Sequence, residues 1–511
     1  MDRKLDRVQI LSLGAVVMLS LFAGLIILFP SFRESIFFFA GKYLFHRELS
    51  NIPYCTSLLI GLVSFLDSAF FFILFSKKTK ELFLQNYPAF FSVCALLFFI
   101  HSNILIATNK IFIGYSNRWD FGDFVFAIEY YASSSLHNTN YPPLAVLFFK
   151  FLHLFFPADG IDKKYVVNYL LTLYTLATAA AIFVLCSFFI NGTYRKKTIS
   201  ALALFLTGPI LFAYQRMNLI LLALIGTLVF VFFYSSKNKY LKEFALISLA
   251  IAANIKLLPA IFGALLLKER KWKEAARTML YGAMLFVIPL VVSNINEKMQ
   301  KNAVQHEQVE AAVFYKPYNS SVEYITPAFF DCNKNTTIQV AEKTESQSSI
   351  NDFIKSVNVF TTTKGLWRLS IKAQIYNALS RFSIGDSAIN ILAIICVLLF
   401  LLLSMIGFFL AKQKYQSLLI LSLVCILVPV TSVWYFLIFL IIPLLFFFNK
   451  TSRTKIDLII SVLFIFIFSY YTGHFKMLYV HTCWHIDILW LITIVDIFYS
   501  KFFSHKEQKA L

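Results

Sequence analysis

The sequence predicts an all-α, polytopic transmembrane helical protein with short or re-entrant helices and an extracytoplasmic loop subdomain. Three observations lead there. Of 511 residues, 59% are apolar and only 14% are charged, with a mean hydropathy of +0.71. The apolar residues run in blocks of about 20, the length of helix that crosses a hydrocarbon layer of about 30 Å. The basic residues behind the formal charge of +19 fall mainly in short connectors between these blocks. That is the pattern of cytoplasmic loops facing anionic lipid, and no basic stripe interleaves with exposed aromatics as a nucleic-acid surface would require.

The first block follows Met1-Asp2-Arg3-Lys4, runs to about Phe29 and lacks a small-residue cleavage site, so it reads as a retained span. Further spans are expected near 57–76, 88–107, 165–191, 199–214, 217–234, 276–294, 388–411, 415–431, 433–448, 456–475 and 484–500. The basic connectors at 77–80, 195–197, 237–242, 268–277, 412–414 and 450–455 should share the cytoplasmic side.

One block conflicts with that rule. A single crossing by 243–267 would put Lys268-Glu269-Arg270-Lys271-Trp272-Lys273 on the wrong side. Asn254-Ile255-Lys256-Leu257-Leu258-Pro259 interrupts this block. Two half-helices that enter and return resolve the conflict, because about twelve residues rise only about 18 Å. Lys256 would then face a cavity from within the membrane, where irregular backbone is tolerated.

Three regions follow: an N-terminal transmembrane module, 1–294, with an outer loop at 108–164; an extracytoplasmic loop, 295–387; and C-terminal transmembrane helices, 388–511. The segment 143–156 is short and apolar, followed by Pro157, and reads as interfacial or re-entrant. No internal repeat is visible, so the inverted-repeat transporter pattern finds no support.

The outer loop carries Asn117-Arg118-Trp119-Asp120-Phe121-Gly122-Asp123-Phe124 and ends in Asn140-Tyr141-Pro142-Pro143. Asp120 and Asp123, three residues apart, share one side of a helical turn where lipid meets water. Either carboxylate can take the proton of a hydroxyl that attacks a carbon centre; the bland reading is a helix cap plus a solvated acid. Tyr141 precedes a proline pair that fixes a rigid turn into the next helix. Arg216, in Tyr214-Gln215-Arg216-Met217-Asn218, has the forked guanidinium that suits a phosphate, or it simply snorkels to the interface. An intramembrane lysine such as Lys256 is costly and needs an acid or a phosphate as partner. Arg216 and Lys256 together would clamp a phosphate leaving group.

Other polar features are weaker. None of the seven cysteines forms a Cys-x-x-Cys pair, so neither zinc nor a disulfide framework is expected. His474, His481 and His485 fit no tight ligand set. Neither a cofactor nor a metal is expected, although a divalent ion is not ruled on by the sequence.

The order Asp-x-x-Asp-Phe, Tyr-Pro-Pro-Leu, Arg-x-Asn opening a span, Ile-Lys-x-x-Pro and a basic Lys-x-Arg-x-Trp connector, over about 115–280, resembles the GT-C membrane glycosyltransferases of the family 87 (DUF2029) type. A weaker echo lies in Val428-Pro429-Val430-Thr431-Ser432-Val433-Trp434-Tyr435 and Pro443. The resemblance implies a GT-C-like fold and an inverting transfer of a hexosyl or pentosyl group from a polyprenyl-phosphate-linked sugar. It implies a glycan or glycolipid acceptor on the outer face of the cell membrane. Carried onto this chain, it makes Asp120 the base, with Asp123 second. Arg216 and Lys256 become the donor phosphate site, and Tyr141 and Asn218 line the substrate pocket. Family members often carry Gly where Met217 stands here, and many have a His-containing late helix that this chain lacks. A lipid-linked-glycan flippase or transporter and a glycan polymerase remain alternatives. The first would spread charges along a path, and the second would use loop arginines, of which 295–387 has only Arg368 and Arg381.

Overall fold

The structure is a computed structural model. It describes residues 86–96, 141–153, 163–310, 368–379, 382, 385–429, 432–450, 453–469 and 476–502. Asp120, Asp123 and the expected spans 8–30 and 57–76 lie outside these residues. All the regular structure among the described residues is helical. Four helical stretches are long and apolar enough to cross a membrane: Thr172–Phe189, Trp272–Val291, Asp386–Leu410 and Thr482–Phe502. A fifth is reached if Tyr194–Phe205 and Gly208–Tyr214 count as one broken span. Lipid-facing bulk such as Leu176, Ile391 and Leu398 stays about 60% exposed in the chain alone. The protein is therefore a polytopic helical membrane protein.

The helices are α1 (Tyr87–Leu96), α2 (Pro143–His153), α3 (Lys163–Phe189), α4 (Tyr194–Phe205), α5 (Gly208–Arg216), α6 (Ile220–Phe233) and α7 (Lys239–Ile255). A 3-10 helix (Leu258–Gly263) then leads to α8 (Ala264–Lys268) and α9 (Trp272–Glu310). After it come α10 (Ile371–Leu379), α11 (Asp386–Leu410) and α12 (Lys414–Leu427). A second 3-10 helix (Trp434–Leu440) continues into α13 (Ile441–Phe448), and α14 (Lys455–Ser469) and α15 (Lys476–Phe502) close the described chain.

Two differences from the expected spans have local causes. The block 199–214 is two helices, because Pro209 has no N–H to continue the first and Thr207 turns its hydroxyl onto the Leu204 carbonyl (2.5 Å). The block 276–294 extends as helix to Glu310, through Pro289 and into the polar stretch expected to begin the outer loop.

The chain divides into two compact units. The smaller one contains α1, α4 and α14. There Tyr87 and Phe91 pack edge-on to Phe448 (5.7 and 5.4 Å), and the Tyr87 hydroxyl donates to the Ser461 carbonyl (3.0 Å). Asp457 is fully buried but satisfied. It accepts from Lys450 (2.7 Å) and from the Thr454 backbone N–H (2.5 Å), while Thr454 Oγ1 accepts from the Asp457 N–H in return. Reciprocal bonding of this kind starts α14.

The larger unit holds the remaining helices. At one of its ends three basic connectors meet. Tyr234 donates its hydroxyl to Glu269, which also accepts from Ser235 (3.2 Å) and Lys271 (2.6 Å). The ammonium groups of Lys271 and Lys414 stand 4.7 and 4.5 Å from the centre of the Tyr234 ring. Burial alone would raise the Glu269 carboxyl, but the bonds from Lys271 and Tyr234 and the charges of Lys271 and Lys414 hold it below its usual value. Lys268 reaches across to the Ala411 carbonyl (2.6 Å), the Phe408 carbonyl and Ser417 Oγ (2.7 Å), satisfying the last turn of α11. The end of α6 (Tyr234) thus touches the end of α8 (Glu269), so the stretch 239–268 leaves this end and comes back to it. It is a broken hairpin, but its outgoing arm differs from expectation: α7 runs 17 residues before the break where about twelve were expected.

Candidate functional site

At the far end of α7, Lys256 meets Tyr141. Asn238 starts α7 by accepting from the Tyr240 and Leu241 N–H groups. The 17 residues of α7 rise about 26 Å before the break. Asn254, 4% exposed, donates its amide to the Ala250 carbonyl (2.9 Å) and to the Gly282 carbonyl of α9 (3.0 Å), pinning the end of α7. Lys256 is the last residue the α7 ladder reaches, its N–H on the Ala252 carbonyl (2.9 Å), and its backbone is extended (φ −141°, ψ 127°). Pro259 then opens the 3-10 helix without an N–H to offer. The Leu258 carbonyl at this break accepts from Cys425 Sγ (3.4 Å).

The Lys256 ammonium lies over the Tyr141 ring, 4.1 Å from its centre, well within cation–π range. Tyr141 is held in turn by an edge-on contact with Phe149 (5.5 Å). Pro142 and Pro143, both buried, set the turn, and the Pro142 carbonyl accepts the Ala145 N–H (3.0 Å) as α2 begins. Two residues singled out from motifs 115 positions apart thus meet directly.

Arg216 and Asn218 sit in the turn between α5 and α6. The Met217 N–H returns to the Tyr214 carbonyl (3.0 Å) and the Asn218 N–H to the Ala213 carbonyl (3.2 Å). With Met217 at φ 48°, this is a Schellman ending whose left-handed residue is usually Gly. Family resemblance leads one to expect Gly here, and the backbone explains why: only Gly takes that conformation without strain. Asn218 is 1% exposed. Its side-chain oxygen accepts the Ile220 N–H (3.0 Å) and its carbonyl accepts the Tyr174 hydroxyl (2.9 Å), so its described role is to build the turn.

Further along α6, Gly226 sets how closely that helix approaches α7. A Cβ on Gly226 would meet the Ser248 carbonyl at 2.7 Å and Ala252 Cβ at 3.0 Å, so α6 and α7 touch backbone to backbone there. The two helices are antiparallel neighbours joined by a short connector.

A third element is the 3-10 helix Trp434–Leu440, which sets Phe439 6.2 Å from Phe262 of the first 3-10 helix. Tyr435 stacks on Phe212 of α5 (6.2 Å, 22°), one turn before Arg216. The described elements thus carry a cation on an aromatic ring at the α7 break and, at the end of α5, Arg216 one turn after the Phe212–Tyr435 stack. Such a set can hold a phosphate and a flat-faced polar ligand. Among the described residues, no group of three or more His, Cys, Asp or Glu could hold a metal.

The model of glycosyltransferase family 87 matches residues 139–323. That stretch contains Tyr141, Arg216, Asn218 and Lys256 and begins after Asp120 and Asp123. It supports the family resemblance drawn from the motifs and, with it, a glycosyltransferase. No curated protein and no solved structure matches the chain.

Proposed function

We propose that the protein is an inverting glycosyltransferase that moves a sugar from a polyprenyl-phosphate donor to a cell-surface glycan or glycolipid on the outer face of the cell membrane. The observation that carries this reading is the Lys256 ammonium resting on the Tyr141 ring at the break in a hairpin, inside the region that matches family 87. An intramembrane lysine suits an anionic ligand, and the phosphate of a lipid-linked sugar is an anion that enters from the bilayer.

The acceptor hydroxyl attacks the anomeric carbon from the face opposite the phosphate, and its proton passes to a carboxylate, Asp120 by first choice and Asp123 by second. The bond between the anomeric carbon and the phosphate oxygen breaks, and its electron pair leaves on the phosphate. Lys256 and Arg216 lower the cost of that growing charge. Tyr141 positions the Lys256 ammonium through its ring face. No cofactor is used.

The test is incubation of the purified, membrane-inserted chain with a panel of polyprenyl-phosphate sugars, following release of the lipid phosphate. Lys256→Gln and Arg216→Gln should weaken donor use by about 10- to 100-fold, the cost of about 1.5–3 kcal/mol for a hydrogen bond to a charged group. Asp120→Asn should abolish transfer in a folded protein. Donor dependence unchanged in both cation variants rules out the clamp, and transfer surviving in both Asp120→Asn and Asp123→Asn rules out the proposed bases.

A further inference from the structure

We infer that Asp487 and Gln374 form a positioning pair that fastens α10 to the turn at 432–435, and so fixes the aromatic residues beside the helix that ends in Arg216. Asp487 lies within Thr482–Phe502, a stretch of α15 apolar enough to cross a membrane. An acid there is costly and calls for a reason.

Its partner is the Gln374 side chain, whose amide nitrogen donates to Asp487 Oδ1 (3.5 Å) and to the Leu369 carbonyl (2.9 Å). The Leu369 N–H donates in turn to the Ser432 carbonyl (2.9 Å). Leu369, Ser370 and Ser432 are completely buried. Ser370 Oγ also accepts the Ala373 N–H (3.3 Å), which starts α10 just after this junction. Two residues past Ser432, Trp434 opens the 3-10 helix, and its neighbour Tyr435 stacks on Phe212 of α5. A continuous path therefore runs from Asp487 through Gln374, Leu369 and Ser432 to the ring that braces the Arg216 helix. It joins four stretches of chain that are remote in sequence. Among the described residues no lysine, arginine or histidine forms an ion pair with Asp487. A single neutral amide compensates a part-buried intramembrane carboxylate poorly, so the acid is better explained by what it positions than by the stability it adds.

The role of the pair in transfer rests on the donor-site reading above; the mechanical coupling does not. The full chain in detergent is compared by amide hydrogen exchange as wild type, Asp487→Leu, Gln374→Leu and Asp487→Asn. Both Leu variants should speed exchange at Leu369 and over 432–437 by about five- to tenfold, the factor expected for one net hydrogen bond. Asp487→Asn keeps an acceptor oxygen and should stay within about twofold of wild type. In the transfer assay the Leu variants should raise the donor KM more than they lower kcat, and Asp487→Asn should restore both. Unchanged exchange at Leu369 in Gln374→Leu overturns the inference, whether or not Asp487→Leu inserts and whether or not transfer is detected. Fast exchange with an unaltered donor KM also overturns it, leaving the donor site intact. A folded Asp487→Asn protein with collapsed kcat overturns it in favour of an acid that touches substrate.

Discussion

Replacing Met217 separately by Gly and by Ala isolates the backbone strain at the Arg216 turn. Met217 holds φ at 48°, and a left-handed residue with a Cβ costs about 1–2 kcal/mol. Both truncations lose the same buried side chain, which is 3% exposed with Sδ 3.7 Å from the Thr175 hydroxyl. Loss of a buried Met costs about 2–5 kcal/mol in well-packed cores, so both variants should be less stable than wild type. They differ in the backbone alone. Gly escapes the left-handed penalty but forfeits about 0.5–1 kcal/mol of chain entropy relative to Ala. The balance leaves Gly ahead of Ala by about 0.5–1 kcal/mol, the reverse of their order inside a helix. Unfolding in mixed detergent–SDS micelles, followed by tryptophan fluorescence, resolves a difference of this size. The expected order is Met, then Gly, then Ala. If Ala equals or exceeds Gly, the turn is not left-handed and the Schellman account of Arg216 placement fails.

Gly226→Ala should destabilise the chain by about 1–3 kcal/mol, because the new Cβ falls 2.7 Å from the Ser248 carbonyl; a neutral result in the same unfolding assay would mean α6 and α7 are further apart. A pH effect is expected at the basic end. Burial lowers the Lys268 ammonium to about 8 against the opposing pull of Glu269. Between pH about 8 and 10.5 the unfolded chain then binds more protons at this site than the folded one, so its contribution to stability rises with pH across that window. Burial gives Lys414 a shift in the same direction. Lys268→Gln should flatten part of the rise in a pH series of unfolding midpoints, and an identical slope in wild type and variant would refute the assignment. Lys256→Arg should retain more donor use than Lys256→Gln in the phosphate-release assay, since charge and cation–π contact survive.

The short-range features were legible in the sequence. The all-helical, membrane-spanning class follows from block length and hydropathy, which no tertiary contact can reverse. The break at Asn254–Pro259 was readable because a charged residue and a proline cannot continue an apolar helix, and because Lys268–Lys273 had to share a side with Lys237–Lys242. The split of 199–214 was also present in Thr207-Gly208-Pro209, but mean hydropathy averages over such a local stop. Asp487 carried a plain signal, an acid inside an apolar block.

Partnership was a different matter. Nothing in spacing couples Tyr141 to Lys256, Gln374 to Asp487 or Tyr435 to Phe212, because each pair is joined only when separate helices pack. The same holds for Asn218, whose side-chain oxygen finds the Ile220 N–H only once the turn is folded. The sequence determined which segments are helices and where they must stop, since those are properties of neighbours along the chain. Only the tertiary structure decided which helices pack together, because α6 and α7 approach closely at Gly226, where the absence of a side chain lets the two backbones touch.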